Sequence, residues 1–155
     1  MVRLADLPEW DRKSKLAKAK ELTGFDSRPW VKPPPLARCR IAIVTTAGLH
    51  RKGDRAFGPN ATDYRIIPGA TPASELVMSH QSVNFDRTGF QQDLNVAFPI
   101  DRLRELVADG TVGSMASVHY SFMGAFPPAA AEPHAQHLAG LLKQDGVDAA
   151  LLIPV

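Results

Sequence analysis

The stretch from Thr45 to Asp54 carries the side chains best suited to chemistry, and it directly follows the clearest strand of the sequence. Glycines such as Gly48 let a backbone approach a ligand closely. His50, Arg51 and Lys52 supply donors for an anion. The dinucleotide pattern G-x-G-x-x-G and the Walker pattern ending in G-K-[ST] are both absent. The stretch is therefore a small-anion site or a solvated basic loop, and spacing alone leaves both interpretations open.

Two further stretches place histidines beside hydroxyl groups. Ser79 and His80 are adjacent, but adjacent side chains diverge, so this is not a nucleophile pair by sequence alone. His80 is either a hydrogen-bonding loop residue or a catalyst. On the predicted strand 118–122, His119 and Ser121 share one face and Tyr120 lies on the other. That polar face predicts either a packed hydrogen-bond network or a pocket wall.

A metal site and an intramolecular disulfide are both disfavoured by residue counts. His134 and His137 are three residues apart on a predicted helix, and two histidines need a third ligand to hold zinc. We therefore expect no metal, and expect this pair to cap the rim of the helix. Cys39 is the single cysteine, so no intramolecular disulfide can form. It precedes the first strand, away from the carboxyl ends where α/β proteins work, which indicates a structural role.

The elements that must position these residues alternate between strand and helix. The patterns predict strands at 40–46, 64–67, 95–98, 118–122 and 148–155, and helices at 7–22, 100–108 and 133–143. They also predict a polar loop over 49–63 and a short helix or turn within 71–78. This order is typical of an α/β fold, with a mainly parallel sheet flanked by helices in a Rossmann-like or flavodoxin-like three-layer arrangement.

The chain divides by composition into a helical and proline-rich N-terminal extension, 1–39, and an α/β domain, 40–155. A net charge of +2 is too small to indicate nucleic-acid binding. The clustered lysines near the start indicate a solvated helix face: Lys13, Lys15, Lys18 and Lys20. No apolar stretch approaches the ~20 residues of a membrane helix, and no signal peptide is evident. We therefore expect a cytoplasmic protein with no membrane association.

Five stretches in register resemble the selenoprotein B family of glycine, sarcosine, betaine and D-proline reductases. Each is weak alone, and together they run from about Arg40 to Val155: 43–54 (IVTTAGLHRKGD), 64–68 (YRIIP), 79–80 (SH), 93–103 (DLNVAFPIDRL) and 119–124 (HYSFMG). The resemblance implies an α/β reductase domain that cleaves a carbon–nitrogen bond of a small amino acid or amine. It also implies other reductase subunits as partners.

The resemblance further implies a selenocysteine or cysteine motif following a strand like 146–155, and thus a nucleophile expected after Val155. Selenocysteine is encoded by UGA, so one hypothesis is an amino-terminal part whose recoded codon was not read. A UAA or UAG codon at that position would contradict it. No cofactor is visible in the sequence, and the expected reductant is an external dithiol or thioredoxin-like protein.

Residue chemistry assigns roles within this scheme. A selenol ionises well below the ~8.5 of a cysteine thiol, so it is a strong nucleophile at neutral pH. The leaving amine needs a proton, and His50, His80 and His119 are the acid/base candidates. Arg51 and Lys52 are candidates to hold the substrate carboxylate. The remaining substrate-binding candidates are Thr46, Gly48 and Tyr120.

The same residues allow other functions. A non-catalytic domain that binds a small anion or forms a complex would keep the sheet without the redox motif. A nucleotide-dependent oxidoreductase has only the fold in its favour, because the glycine fingerprint is missing. Which substrate is used, and whether the protein forms a homo-oligomer, stay open at this point.

Overall fold

The computed structural model describes residues 3–21, 31–82 and 87–155. Within these ranges the chain forms two compact units, residues 1–32 and 33–155. None of the helices in the described ranges has the length and apolar character needed to cross a membrane. Residues 22–30, which include the predicted end of the first helix and part of the proline-rich N-terminal extension, lie outside the described residues. So do residues 83–86, which follow the stretch containing Ser79 and His80.

The first unit contains helix α1 (Glu9–Glu21), close to the helix predicted at 7–22. None of its residues is buried. Lys13 pairs with Glu9 at 2.7 Å, and Lys15 pairs with Asp11 at 3.7 Å, both one helical turn apart. The four lysines of this region are exposed, as the sequence predicted. Local ion pairs of this kind each stabilise a helix by roughly 0.2–0.5 kcal/mol.

The second unit is an α/β domain whose strands and helices follow one another along the chain. Its strands in the described residues are β1 (Arg40–Thr45), β2 (Leu49–Arg51), β3 (Tyr64–Pro68), β4 (Leu76–Met78), β5 (Ser114–Met115), β6 (Val118–Phe122) and β7 (Ala149–Ile153). Its helices are α2 (Thr88–Gln92), α3 (Ile100–Ala108) and α4 (Glu132–Gln144).

Strand β1 is the centre of a five-stranded sheet. It pairs in parallel with β7 over five residues, Ile41↔Ala149 to Thr45↔Ile153. Ile41 also pairs with Met115 of β5, and Thr45 also pairs with Ser121 of β6, so β5 and β6 share the other edge of β1. Strand β3 extends the sheet beyond β6 in antiparallel orientation. The sheet is thus mainly parallel, as predicted.

The segment from β5 to β6 contains two more residues than the stretch of β1 it faces. Ile41 and Val44 are three residues apart, whereas their partners Met115 and Tyr120 are five apart. Insertions of this kind leave ladder groups unpaired. Near this bulge Arg40 Nη2 donates to Asp145 Oδ1 at 2.7 Å and to Ser117 Oγ at 2.8 Å. The Ser117 amide donates to Asp145 Oδ2 at 2.9 Å, which ties the bulge to the end of α4.

Helices cover both faces of the sheet, so the domain has three layers. Ile43 of β1 belongs to a core that includes Ile100 and Leu103 of α3. Its neighbour Val44 packs on the opposite face against a second core that includes Leu138 of α4. Because successive strand residues face opposite sides, one apolar strand supplies both cores. The predicted helices 100–108 and 133–143 are confirmed as α3 and α4.

One local prediction was wrong, and two missed a short strand. Residues 95–98 are not a strand, because Leu94–Val96 forms a short 3₁₀ helix that Asp93 caps by accepting from the Asn95 amide. The polar loop predicted over 49–63 opens with β2. Within 71–78 the predicted short helix is confirmed as a 3₁₀ helix at Ala73–Glu75, and β4 follows it. Strands β2 and β4 pair with each other in a small antiparallel sheet. Each is three residues long, which is too short for an alternation signal.

Strand β7 leaves much of its surface uncovered. Leu151 is 42% exposed and Leu152 is 68% exposed, although central parallel strands are normally buried on both faces. In the described part of the chain only β1 pairs with β7, so its outer backbone groups have no strand partner. Exposed strand edges with apolar side chains favour pairing with another segment of polypeptide.

Candidate functional site

The turn that follows β1 is the best-defined part of the carboxyl edge of the sheet. The Thr45 hydroxyl donates to the Ala97 carbonyl at 2.8 Å and accepts from the Ala47 amide at 3.2 Å. The Gly48 amide donates to the Phe122 carbonyl at 2.8 Å. These bonds tie the turn to the segment before α3 and to the end of β6.

Gly48 brings His80 to this edge. Gly48 has φ +66°, a left-handed conformation that favours glycine. A Cβ atom there would lie 2.9 Å from both the Cα and the backbone nitrogen of His80. The Ser79 amide also donates to the Gly48 carbonyl at 2.9 Å. The structure thus joins two stretches that the sequence analysis treated separately, 45–54 and 79–80.

The environment of His80 favours a neutral ring. His80 is 5% exposed, and the Ser82 amide donates to its Nδ1 at 3.1 Å, so the neutral ring carries its proton on Nε2. Burial, together with the nearby Arg87 cation, lowers the pKa of His80 below its usual value of 6.5. At neutral pH the imidazole is therefore a hydrogen-bond donor at Nε2, while its Nδ1 is already engaged as an acceptor.

Thr46 lies where the ends of three strands converge. Its Oγ1 accepts from the Val155 amide at 2.8 Å and donates to the Val155 carbonyl at 3.3 Å. Its own amide donates to the Ile153 carbonyl at 3.1 Å. A Cβ atom on Gly124, which has φ +83°, would lie 2.7 Å from the Thr46 carbonyl oxygen. Thr46, Gly48 and His80 thus lie together at the carboxyl edge, with Gly48 and His80 buried beneath it, and we call this group the edge site.

His119 lies inside the domain instead. It is completely buried, and its Nδ1 accepts from the Ile43 amide at 2.9 Å. Its ring contacts Phe98 edge-on, with centroids 5.8 Å apart. Burial, with the Arg104 and Arg40 cations adding to it and Asp145 opposing, lowers the pKa of His119 from 6.5 to about 4. Of the two alternatives for this strand face, the contacts favour a packed hydrogen-bond network, which Ser121 completes by accepting from the Leu49 amide at 2.8 Å.

Tyr120 faces the other side of the sheet, as the strand alternation predicted. Its ring meets Tyr64 edge-on, with centroids 5.5 Å apart. His134 and His137 of α4 also contact Tyr64, and the Tyr64 hydroxyl hydrogen-bonds to His137 Nδ1 at 3.0 Å. In the described ranges no group of three or more His, Cys, Asp or Glu side chains is arranged to hold a metal ion.

The basic residues of the first stretch are dispersed rather than convergent. Arg51 forms two hydrogen bonds with Asp54, each 3.2 Å, and this partner raises the pKa of Arg51. Lys52 is exposed. His50 is 6% exposed, and its Nδ1 donates to the Arg51 carbonyl at 3.0 Å. The structure therefore assigns Arg51 to an ion pair within its own turn and places His50 inside the β2–β4 sheet.

Cys39 sits at the opposite end of β1 from the edge site. It is 2% exposed, and its Sγ donates to the Pro34 carbonyl at 3.2 Å. Its carbonyl accepts from the Ser114 amide at 3.0 Å, so it belongs to the amino edge of the sheet. These contacts favour the structural role that the sequence indicated.

One charged neighbour of the edge site escaped the sequence analysis. Arg87, at the start of α2, donates from Nη2 to the His80 carbonyl at 2.7 Å. Nothing in the spacing of the sequence distinguishes Arg87 from other isolated arginines. Its importance is visible only once Gly48 and His80 are known to be in contact.

Comparison with known proteins supports the resemblance. D-proline reductase subunit gamma of Acetoanaerobium sticklandii is 32% identical over 133 residues, which cover 79% of this chain and 54% of that protein. Glycine reductase complex component B subunit gamma of Carboxydothermus hydrogenoformans is 30% identical over 122 residues, covering 76% and 28%. Sarcosine reductase complex component B subunit beta of Peptoclostridium acidaminophilum is 29% identical, with the same coverage.

The chain thus spans about half of the length of the first relative and just over a quarter of the other two. No solved structure gives a significant match. The sequence profile described as glycine/sarcosine/betaine reductase selenoprotein B matches residues 20–154, which is most of the chain and includes every residue of the edge site. The chain therefore belongs to the glycine/sarcosine/betaine reductase selenoprotein B family.

Proposed function

We propose that the chain forms part of a reductase that uses a selenol or thiol to cleave a carbon–nitrogen bond. The substrate class is a small amino acid or amine of the glycine, sarcosine, betaine or D-proline type. The contact between Gly48 and His80 carries this proposal, because it joins two family-like stretches at the edge of the sheet where α/β proteins bind ligands.

In the overall reaction, two thiols and one ammonium substrate give a new carbon–hydrogen bond, a protonated amine and a disulfide. A selenolate or thiolate would supply the nucleophile at the edge site. The neutral His80 ring would offer its Nε2 proton to a developing negative charge or to the substrate. Thr46 and Gly48 would hold the backbone that forms the floor of the site.

The redox residue of this reaction is not Cys39. Its thiol is buried at the amino edge and already bonds to the Pro34 carbonyl, so a substrate at the edge site has no access to it. We infer that the nucleophile is supplied by polypeptide other than residues 1–155, and that an external dithiol or thioredoxin-like protein regenerates it.

Other reductase subunits are the proposed partners. The relatives are named as subunits of D-proline reductase and of glycine and sarcosine reductase complexes. The exposed leucines of β7, and its outer edge, which pairs with no strand of the described ranges, offer an apolar surface that assembly would cover.

The test is turnover in the assembled protein. A tagged form should be purified with its associated subunits, and cleavage of glycine, sarcosine, betaine and D-proline followed with dithiothreitol as reductant. We expect cleavage of at least one of the four. His80→Gln should lower kcat by about a hundredfold, whereas His137→Gln, an exposed histidine outside the edge site, should not. Absence of dithiol-dependent cleavage with all four substrates would refute the proposal.

A second candidate is a complex-forming domain with no chemistry of its own. The burial of the single cysteine and the exposed β7 leucines favour it. It predicts that the purified complex keeps full activity in His80→Gln, while Leu152→Lys weakens association of this chain with its partners.

A further inference from the structure

We propose that the cleft between β4 and α2 is the subsite for the carboxylate end of the substrate, with Arg87 as its anchor. This inference rests on the proposed function and adds to it a location, an anchoring residue and a ligand preference. The cleft has a volume of about 290 Å³ and is lined by Leu76, Val77, Met78, Arg87, Phe90 and Gln91. Ligand pockets usually span about 300–1,000 Å³, so this one suits a very small ligand.

Among the described residues that line the cleft, Arg87 is the one cation and none is acidic. One guanidinium nitrogen donates to the His80 carbonyl at 2.7 Å, which holds the side chain in place. A guanidinium has five N–H donors in a planar fork that matches a carboxylate. Across residues 3–21, 31–82 and 87–155, no carboxylate forms an ion pair with Arg87.

The contrast with Arg51 supports this assignment. Arg51 was the sequence-based candidate for holding the carboxylate, but both of its contacts go to Asp54. A substrate would have to displace that internal carboxylate. The contact that the structure describes for Arg87 is with a main-chain carbonyl instead. Of these two arginines, Arg87 is the better anchor.

The position of the cleft connects it to the edge site. Arg87 bonds to the carbonyl of His80, and the backbone of His80 packs against Gly48. A carboxylate held by Arg87 would therefore lie beside the backbone of the edge site.

The lining also sets a preference among carboxylates. Leu76, Met78 and Phe90 present apolar surface, which favours a compact apolar body such as a pyrrolidine ring or N-methyl groups. A second carboxylate would have to be buried against these side chains without a cation, which is costly. We therefore expect monocarboxylates with a cyclic or N-alkylated amine to bind better than dicarboxylates.

Ligand titration of the purified chain tests this subsite. D-proline, sarcosine, betaine and succinate are titrated into the wild type and Arg87→Gln, with binding followed by calorimetry or ligand-observed NMR. We expect Arg87→Gln to weaken D-proline binding at least about tenfold, with Arg87→Lys intermediate because it keeps the charge without the fork. Arg55→Gln, an exposed arginine outside the cleft, is the matched control and should bind as the wild type does.

A second probe isolates the carboxylate contact. D-prolinamide replaces the carboxylate with a neutral amide, so it should bind the wild type at least about tenfold more weakly than D-proline and bind Arg87→Gln with no further loss. Three results would each overturn the subsite. They are equal effects of Arg87→Gln and Arg55→Gln on D-proline binding, equal binding of D-proline and D-prolinamide to the wild type, and no binding of any monocarboxylate. Arg87-dependent binding without turnover in the assembled protein would retain the subsite and remove the reductase proposal.

Discussion

Replacing Gly48 by alanine tests the contact on which the edge site depends. Two separate costs are expected in Gly48→Ala. The first is conformational, since an L-residue in the left-handed region costs roughly 1–2 kcal/mol. The second is steric, because the new Cβ would lie 2.9 Å from the Cα and backbone nitrogen of His80, and backbone atoms cannot rotate away. Overpacking of a core typically costs about 1–3 kcal/mol.

Gly146 provides a control for the first cost alone. Its φ of +65° matches the +66° of Gly48, yet a Cβ atom on Gly146 would meet nothing within 4 Å. Gly146→Ala should therefore lose roughly 1–2 kcal/mol. Gly48→Ala should lower the free energy of unfolding by about 2–5 kcal/mol, which is the sum of the conformational and steric ranges. The difference between the variants measures the clash with His80.

Urea unfolding followed by far-UV circular dichroism measures both free energies of unfolding. A second readout is the chemical shift of the His80 ring, which should change in Gly48→Ala and stay constant in Gly146→Ala. Equal losses of stability in the two variants, with an unchanged His80 signal, would refute the inference that Gly48 and His80 are in close contact. The proposed edge site would then lose its geometric basis.

Two further predictions concern polar groups inside the domain, and both use urea unfolding. His119→Phe keeps a ring against Phe98 but leaves the Ile43 amide without an acceptor, which should cost about 1–3 kcal/mol at pH 7. Folding lowers the pKa of His119 from 6.5 to about 4, so the wild type should lose about 3 kcal/mol of its free energy of unfolding as the pH falls from 6.5 toward 4. His119→Phe should lose correspondingly less over that pH range. Parallel pH profiles of the two free energies would contradict the assignment. Asp145→Ala removes the acceptor for Arg40 and for the Ser117 amide and should cost about 1–3 kcal/mol, whereas Glu105→Ala breaks an exposed pair and should cost under about 1 kcal/mol.

The sequence predicted the parts of the fold that rest on long, regular patterns. The apolar run of β1 and the helical spacing of α3 and α4 each bury a continuous stripe, so they were identified with nearly correct limits. The failures came where tertiary contacts decide. Residues 95–98 have strand-like composition, but Asp93 caps a 3₁₀ turn there. Strands β2 and β4 exist because they pair with each other, and three residues carry no periodicity.

The candidate site was predictable only in its parts. Thr46, Gly48 and His80 were all named from the sequence, but their association depends on a left-handed glycine whose partner lies 32 residues away. His119 and His80 look alike in sequence, yet one lies in the core against Phe98 and the other at the edge. Both side chains are buried, and local sequence does not distinguish their places in the fold, because tertiary packing decides them.

The buried polar residues of β6 have a reason that follows from the bulge before it. Two extra residues interrupt the ladder with β1 beside Ile43, and the His119 side chain replaces a main-chain acceptor for the Ile43 amide. Ser121, two residues further along the same face, accepts from the Leu49 amide in the turn after β1. The turn that forms the edge site is therefore held by the Ser121 hydroxyl. Ser121→Ala should accelerate hydrogen exchange of the Leu49 amide by an order of magnitude or more, since a buried donor would lose its partner. The Gly48 amide, bonded to the Phe122 carbonyl, is the internal control and should keep its protection. Unchanged exchange at Leu49 would show that the turn does not depend on this side chain, and that the polar face of β6 needs another explanation.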